Sequence, residues 1–175
     1  MTSENTKIVK RKKRWPRIVL LILFFLFIII QFSQPDKNNN DVIATNDIHT
    51  MVSIPDSVEN IMKVACYDCH SNNTRYPWYS NIQPVGWWLK NHIEDGKRHL
   101  NFNEFVNMPA RNGKTSRERQ LKKLEEIKET LSKGEMPLSS YTIIHTDARL
   151  TKEQKQLIMD WSDSARQTIS SSKEK

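Results

Sequence analysis

Residues 18–30 read IVLLILFFLFIII, thirteen apolar side chains without a break. A chain of 175 residues has room for one domain and an appendage, not for two good cores. A run with no polar face does not belong on the water-facing surface of a small domain. Extended to Trp15 and Phe32 it covers eighteen positions, about 27 Å of α-helix at 1.5 Å per residue, near the thickness of a membrane's hydrocarbon core. Lys7, Lys10, Arg11, Lys12, Lys13, Arg14 and Arg17 flank it against a single acid, Glu4. This pattern predicts a basic cytoplasmic tail over 1–17 and a single transmembrane anchor over 18–32, with everything downstream exported. A cleaved signal peptide is the competing reading. The residues that follow, QFSQPDKNNN, offer no small-x-small cleavage site, and the nearest candidate ends at Ala44, far downstream.

The basic tail also accounts for the charge of the chain. Of a formal net charge of +7, the first 17 residues supply +6, leaving +1 over the remaining 158. A nearly neutral domain has no electrostatic footprint for a phosphate backbone, which argues against a nucleic-acid partner.

Residues 33–54 are polar and read as a linker. The domain proper is expected over 55–170. In PDSVENIMKVACYDCH, Val58, Ile61, Met62 and Ala65 recur at helical spacing, with Asp56 or Ser57 as the cap. Pro84 is expected to open a second helix whose inner side carries Val85, Trp88, Leu89, His92 and Ile93. A third is predicted over 116–133, with Leu121, Leu124, Ile127 or Lys128, and Leu131 as its stripe. Thr115 and Glu118 form its capping box and Gly134 its C-terminal cap. Thr151 and Gln154 make another capping box, before a last helix that turns Leu157, Ile158, Trp161 and Ala165 inward. No run of strands is evident, so the fold class is all-α. The apolar stripes are thin for this much irregular chain, and something other than side chains is expected to help fill the centre.

Both cysteines of the chain lie in CYDCH, as Cys66 and Cys69, with His70 directly behind. In an exported protein two cysteines ordinarily pair. A Cys-x-x-Cys loop is a poor structural staple, however, and Cys-x-x-Cys-His is the attachment signature of c-type haem. Each thiol adds across one vinyl group of the porphyrin, so the sulfurs must sit one helical turn apart. The next residue then lies where its imidazole can ligate the iron. Three other readings compete. A redox-active dithiol calls for a pair at the start of a helix after a strand, and this pair ends a helix. A zinc site calls for two more ligands at suitable spacing, and His92, His99 and His145 form no such set. A plain disulfide or a chance match is the third.

The run CYDCHSNNTRYPWYSNIQPVGWWLKNHI, with the later GEMP and LTKEQKQLIMDW, resembles the bacterial haem-binding domain family of membrane-anchored single-haem c-type cytochromes, over roughly residues 35–166. The resemblance implies a small cytochrome c-like helical domain around one covalent haem c, held at the cell's inner membrane with the haem domain in the periplasm.

The iron's second axial position separates the functional alternatives. Met136, in a proline-stiffened loop just past Gly134, is the expected distal ligand, 66 residues after His70, and the resemblance points to the same GEMP. Met108, His92, His99 and His145 are the alternatives, beside an open site; packing is the plainer reading of Met62, Met108 and Met159. His70 is expected to donate its other nitrogen to a backbone carbonyl, that of Pro77 or Pro84. Arg75, Tyr76, Trp78 and Trp87 are candidates for the haem edge or its propionates, and Trp161 is expected to pack the last helix onto the first. No acid/base or nucleophilic constellation calls for a substrate. The sequence therefore points to an electron carrier rather than a catalyst, with redox partners it does not identify. A sensor or peroxidase-like protein with a displaceable methionine is one alternative, and a non-haem dithiol or zinc adaptor another.

Overall fold

A computed structural model describes residues 14–40 and 44–172; most of the basic tail lies outside them. Among the described residues seven α-helices run in the order α1 Trp15–Ile30, α2 Asp56–Ala65, α3 Tyr67–His70, α4 Val85–His99, α5 Ser116–Lys133, α6 Ser139–Thr142 and α7 Lys152–Ser171. Among the described residues the only extended pairing is two isolated bridges, Asn39 with Asn73 and Arg111 with Lys114, so the fold is all-α.

The local signals in the sequence account for the two long helices. Thr115 accepts from the backbone of Glu118 while Glu118 returns the bond, and Thr151 and Gln154 do the same for α7. Gly134 ends α5 at φ 72°, a left-handed position that glycine adopts without a Cβ clash. At the start of α2, by contrast, Pro55 occupies the cap and neither Asp56 nor Ser57 bonds the helix end; Asp56 lies inside the first turn.

α5 packs along α7, and α2 closes over them. Leu124, Leu131, Ile158, Trp161, Ala165 and Ile169 meet Val58 and Met62 in one core, and Phe102 and Phe105 from the α4–α5 connection join it. Each such side chain contributes about 1.5–3 kcal/mol by leaving water. Ser162 donates to the Leu124 carbonyl at 2.6 Å, and Lys128 grips Asp163 at 2.7 Å. Leu157, expected to face inward, is exposed, and Met108 is a buried core residue.

The segment 33–54 is not a free linker. Ile48 and Val52 are buried in the core. Asn38 donates to the Ser71 carbonyl and to the Thr74 hydroxyl, both at 2.9 Å, and Asn40 donates to the Asn72 carbonyl at 3.0 Å. The polar composition that reads as a tether serves to hydrogen-bond this strip onto the domain.

The expected anchor is also corrected. Among the described residues no helix is long and apolar enough to cross a membrane. α1 stops at Ile30, so its 16 residues reach about 24 Å rather than 27 Å. The chain leaves the helix there because Gln31, Phe32 and Ser33 each bond three residues back, and the Gln31 side chain reaches across to Gln83. α1 buries none of its residues.

α4 differs from its expected face as well. Gly86 and Ile93 are buried, whereas Val85 and Trp88 are exposed. A Cβ on Gly86 would lie 2.4 Å from the Ser80 carbonyl, and one on Gly96 would lie 2.6 Å from the Cys69 carbonyl. The two glycines bring the helix close at two points and thereby set its rotation.

Candidate functional site

Ala65 ends α2, and Cys66 turns the chain with φ −126° and ψ −46°. A single turn follows in which the amides of Cys69 and His70 both donate to the Cys66 carbonyl, at 3.2 and 3.0 Å. That turn places Cys69 one turn after Cys66, with the imidazole of His70 immediately beyond. Ser71 then leaves in extended conformation. The two cysteines form no disulfide with each other.

Three anchors hold this turn. Gly96 admits the Cys69 backbone against α4. The buried Asp68 carboxylate accepts from the Arg75 amide at 3.0 Å, from its guanidinium at 3.1 and 3.2 Å, and from the Tyr141 hydroxyl at 2.7 Å. A carboxylate removed from water needs such donors. Burial pushes the Tyr141 hydroxyl up, and its bond to Asp68 adds to the effect, so it stays a donor. Third, His70 Nδ1 lies 2.9 Å from the Leu100 carbonyl at the end of α4. A carbonyl only accepts, so Nδ1 carries the hydrogen and Nε2 is left with a lone pair. Burial also holds His70 below the usual imidazole range, against the pull of the Leu100 and Gly96 carbonyls. A neutral imidazole oriented by a backbone acceptor is the form that binds a metal. The acceptor is Leu100, not Pro77 or Pro84.

Cys66, Cys69 and His70 open into a cavity of about 490 Å³, within the size range of ligand pockets, about 300–1,000 Å³. Met62, Ile158 and Trp161 line it from the core, so Trp161 combines packing, a bond from its indole to the Ser53 carbonyl, and a cavity wall. α5 contributes Ile127, Thr130 and Leu131, with Lys123 and Glu126. Met136, Pro137 and Leu138 line the same cavity, from the loop that follows Gly134. His92, Asp95, Gly96 and His99 also line it, on one face of α4. Because α4 packs on α3, His92 and His99 share the wall that carries His70, whereas Met136 comes from the α5–α6 side.

The remaining expected site residues lie elsewhere. Arg75 is bound to Asp68 behind the turn, and the Tyr76 hydroxyl accepts from the Asn38 amide at 2.7 Å. Trp78 is exposed, and the Trp87 indole donates to the Ser33 carbonyl at 2.8 Å. None of the four lines the cavity. His145, an alternative ligand, stacks on Tyr141 with ring centroids 4.3 Å apart and bonds the Tyr79 hydroxyl at 2.7 Å, outside the lining. Of the residues that sequence reasoning missed, Gly96 alone left a signal: an isolated glycine within a helical pattern. Asp68, Leu100 and Tyr141 act through partners 7 to 73 residues away.

The chemistry of the donors decides between the cofactor classes. Burial pushes the Cys66 thiol up to about 12, with help from neighbouring Cys69, and pushes Cys69 up to about 11, with help from Asp68. A redox dithiol needs the opposite shift. Among the described residues no group of three or more His, Cys, Asp or Glu side chains is arranged to hold a metal ion, so the zinc-adaptor alternative lacks its ligands. One oriented imidazole in a largely apolar cavity, with two thiols at its edge, fits a haem. The family described as Haem-binding domain matches residues 25–164 of this chain. The chain belongs to that family. No curated protein and no solved structure matches it. For this haem-binding domain the cavity is the candidate haem site, and the match takes in the junction between α1 and the domain as well as α2 to α6.

Proposed function

We propose that this haem-binding domain is a single-haem c-type cytochrome that carries one electron at a time, held at the cell's inner membrane by α1 with the haem domain on the periplasmic side. The observation that carries this reading is the convergence of Cys66, Cys69, His70 and Met136 on one cavity. When bound, the haem supplies an iron that shuttles between two oxidation states. The chain's own residues do the rest. Cys66 and Cys69 hold the group covalently, and His70 presents Nε2 because Leu100 fixes its tautomer. Met136 offers a thioether that suits both oxidation states, and Met62, Ile127, Leu131 and Ile158 give the cavity apolar walls. The membrane reading draws its support from α1, which is apolar, exposed along its length and preceded by the basic segment.

The decisive experiment is haem staining after denaturing electrophoresis of protein made in a host with haem-maturation machinery. Stain that survives denaturation in wild type and disappears in Cys66→Ala/Cys69→Ala is the expected result; colourless wild-type protein overturns the reading. Loss of the red charge-transfer absorption of methionine-ligated ferric haem in Met136→Ala checks the distal ligand.

A specific observation favours a second reading, a haem sensor with a displaceable methionine. Met136 is half-buried, and the backbone bonds of its loop, from Glu135 and Met136, both go to the Thr130 carbonyl, at 2.9 and 3.4 Å. Carbon monoxide binding to the reduced protein at full occupancy would favour the sensor, and its exclusion the carrier.

A further inference from the structure

The end of α1 is clasped to the haem-binding domain rather than strung from it. The Gln31 side chain donates to the Gln83 carbonyl at 3.1 Å and accepts from the Gln83 amide at 2.9 Å. The Gln34 side chain donates to the Asn81 carbonyl and accepts from the Gln83 side chain, both at 3.1 Å. The Trp87 indole adds a bond to the Ser33 carbonyl at 2.8 Å. Gln83 is wholly buried at the centre of this clasp, and a buried amide with its donors and acceptors met fixes a geometry.

Around the clasp lie large apolar side chains that the domain does not cover: Trp78 is 76 % exposed, Trp88 46 %, Val85 38 % and Ile82 36 %. Trp88 and Val85 owe their outward direction to Gly86 and Gly96, which turn the other side of α4 inward. From Tyr76 to Ile93 the chain has no acidic residue. Two tryptophans with aliphatic neighbours, on a segment without acids and joined through the clasp to a helix that is apolar from Ile18 to Ile30, have the composition of a surface that sits at the level of lipid headgroups.

We propose that Trp78, Ile82, Val85 and Trp88 form a membrane-contact face, so that the domain rests on the lipid surface in one orientation instead of swinging on a tether. The proposal rests on the reading of α1 as the membrane-held helix. Lipid is the occupant because the face continues directly into α1, whose exposed apolar length has no other solvent suited to it.

The test uses the full-length holoprotein in vesicles of phosphatidylcholine and phosphatidylglycerol. A photoreactive p-benzoylphenylalanine replaces Trp78, Ile82 or Trp88 one at a time, or Gln167 on the exposed side of α7 as the reference. After irradiation, lipid adducts are counted by mass spectrometry. Adducts at least about tenfold more abundant from the three face positions than from Gln167 are expected for a face held at the interface. Gln31→Ala/Gln34→Ala, which removes four of the five clasp bonds, should keep the protein on the vesicles while lowering those adducts about severalfold, as a fixed placement becomes a loose one. Protein retained on vesicles with no excess over Gln167 overturns the contact face and leaves the membrane reading intact. Retention with adducts unchanged by the clasp variant overturns the fixed orientation. Protein that does not stay with the vesicles at all overturns the membrane reading, and this inference with it.

Discussion

The two sides of the cavity are built differently. The His70 side is overdetermined: the one-turn helix α3 is held by the Asp68 network, by Gly96 against Cys69 and by the Leu100 carbonyl on His70. The Met136 side is a loop set by one glycine cap and two amides on a single carbonyl. Rigid placement therefore belongs to the residues proposed to attach the haem and to present its first axial ligand. The proposed second ligand, Met136, sits on a segment with few constraints, which is where exchange or tuning is easiest. The lesson is that a ligand's position in sequence and its grip in the structure are separate properties.

The sharpest way to break this contrast is Gly96→Ala. Its methyl would lie 2.6 Å from the Cys69 carbonyl and 3.1 Å from its Cβ, so backbone must move, at a cost of about 3 kcal/mol. Thermal unfolding should fall markedly, and haem staining should fall with it. Next is Asp68→Ala, which leaves Arg75 and Tyr141 only their longer bonds to the Val64 carbonyl, at 3.5 and 3.3 Å, and should cost about 2 kcal/mol. Because Tyr141 follows Met136 by only five residues, this variant also tests whether the two sides communicate: the methionine-to-iron absorption should weaken while covalent staining stays. On the looser side, Gly134→Ala meets no atom within 4 Å and suffers only from φ 72°, about 1 kcal/mol. It should alter the Met136 absorption more than the unfolding temperature.

The smallest effect is one of pH. His49 donates to Asp47 and lies 3.2 Å from Glu59, which accepts from the Tyr67 hydroxyl at 2.7 Å. Burial pulls His49 down, but the bonds and charges of Asp47 and Glu59 outweigh it, so its folded value lies above 6.5. A raised value means that protonated His49 stabilises the fold. That contribution is complete below about pH 6.5 and is lost as the pH rises through the folded value. The unfolding temperature should decline slightly over that window, and His49→Gln should flatten the decline. A steeper slope in the variant would refute the assignment.

Legibility in the sequence divides along the range of the interactions. Both capping boxes, Gly134, the extent of α5 and the start of α7 are set by bonds spanning three or four residues, and the pattern of the sequence shows them. The grouping of Cys66, Cys69 and His70 is equally local. That Arg75, Tyr76, Trp78 and Trp87 lie outside the cavity lining is not legible, because aromatic and cationic residues beside a haem motif look the same whether they touch the cavity or, like Tyr76 and Trp87, hold the chain between α1 and α2. The end of α1 at Ile30 is not legible in the sequence because hydropathy does not register the Gln31–Gln83 bonds just beyond it. The outward turn of Trp88 followed from two close glycine contacts, Gly86 on Ser80 and Gly96 on Cys69.

The acceptor for His70 has a consequence for how this site can change over time. Leu100 contributes its main-chain oxygen, and every amino acid carries one, so no single substitution at position 100 deletes the acceptor. The imidazole's tautomer is thereby insulated from drift at that position. Replacements that displace the main chain, as at Gly96 against Cys69, are the ones that can reach it.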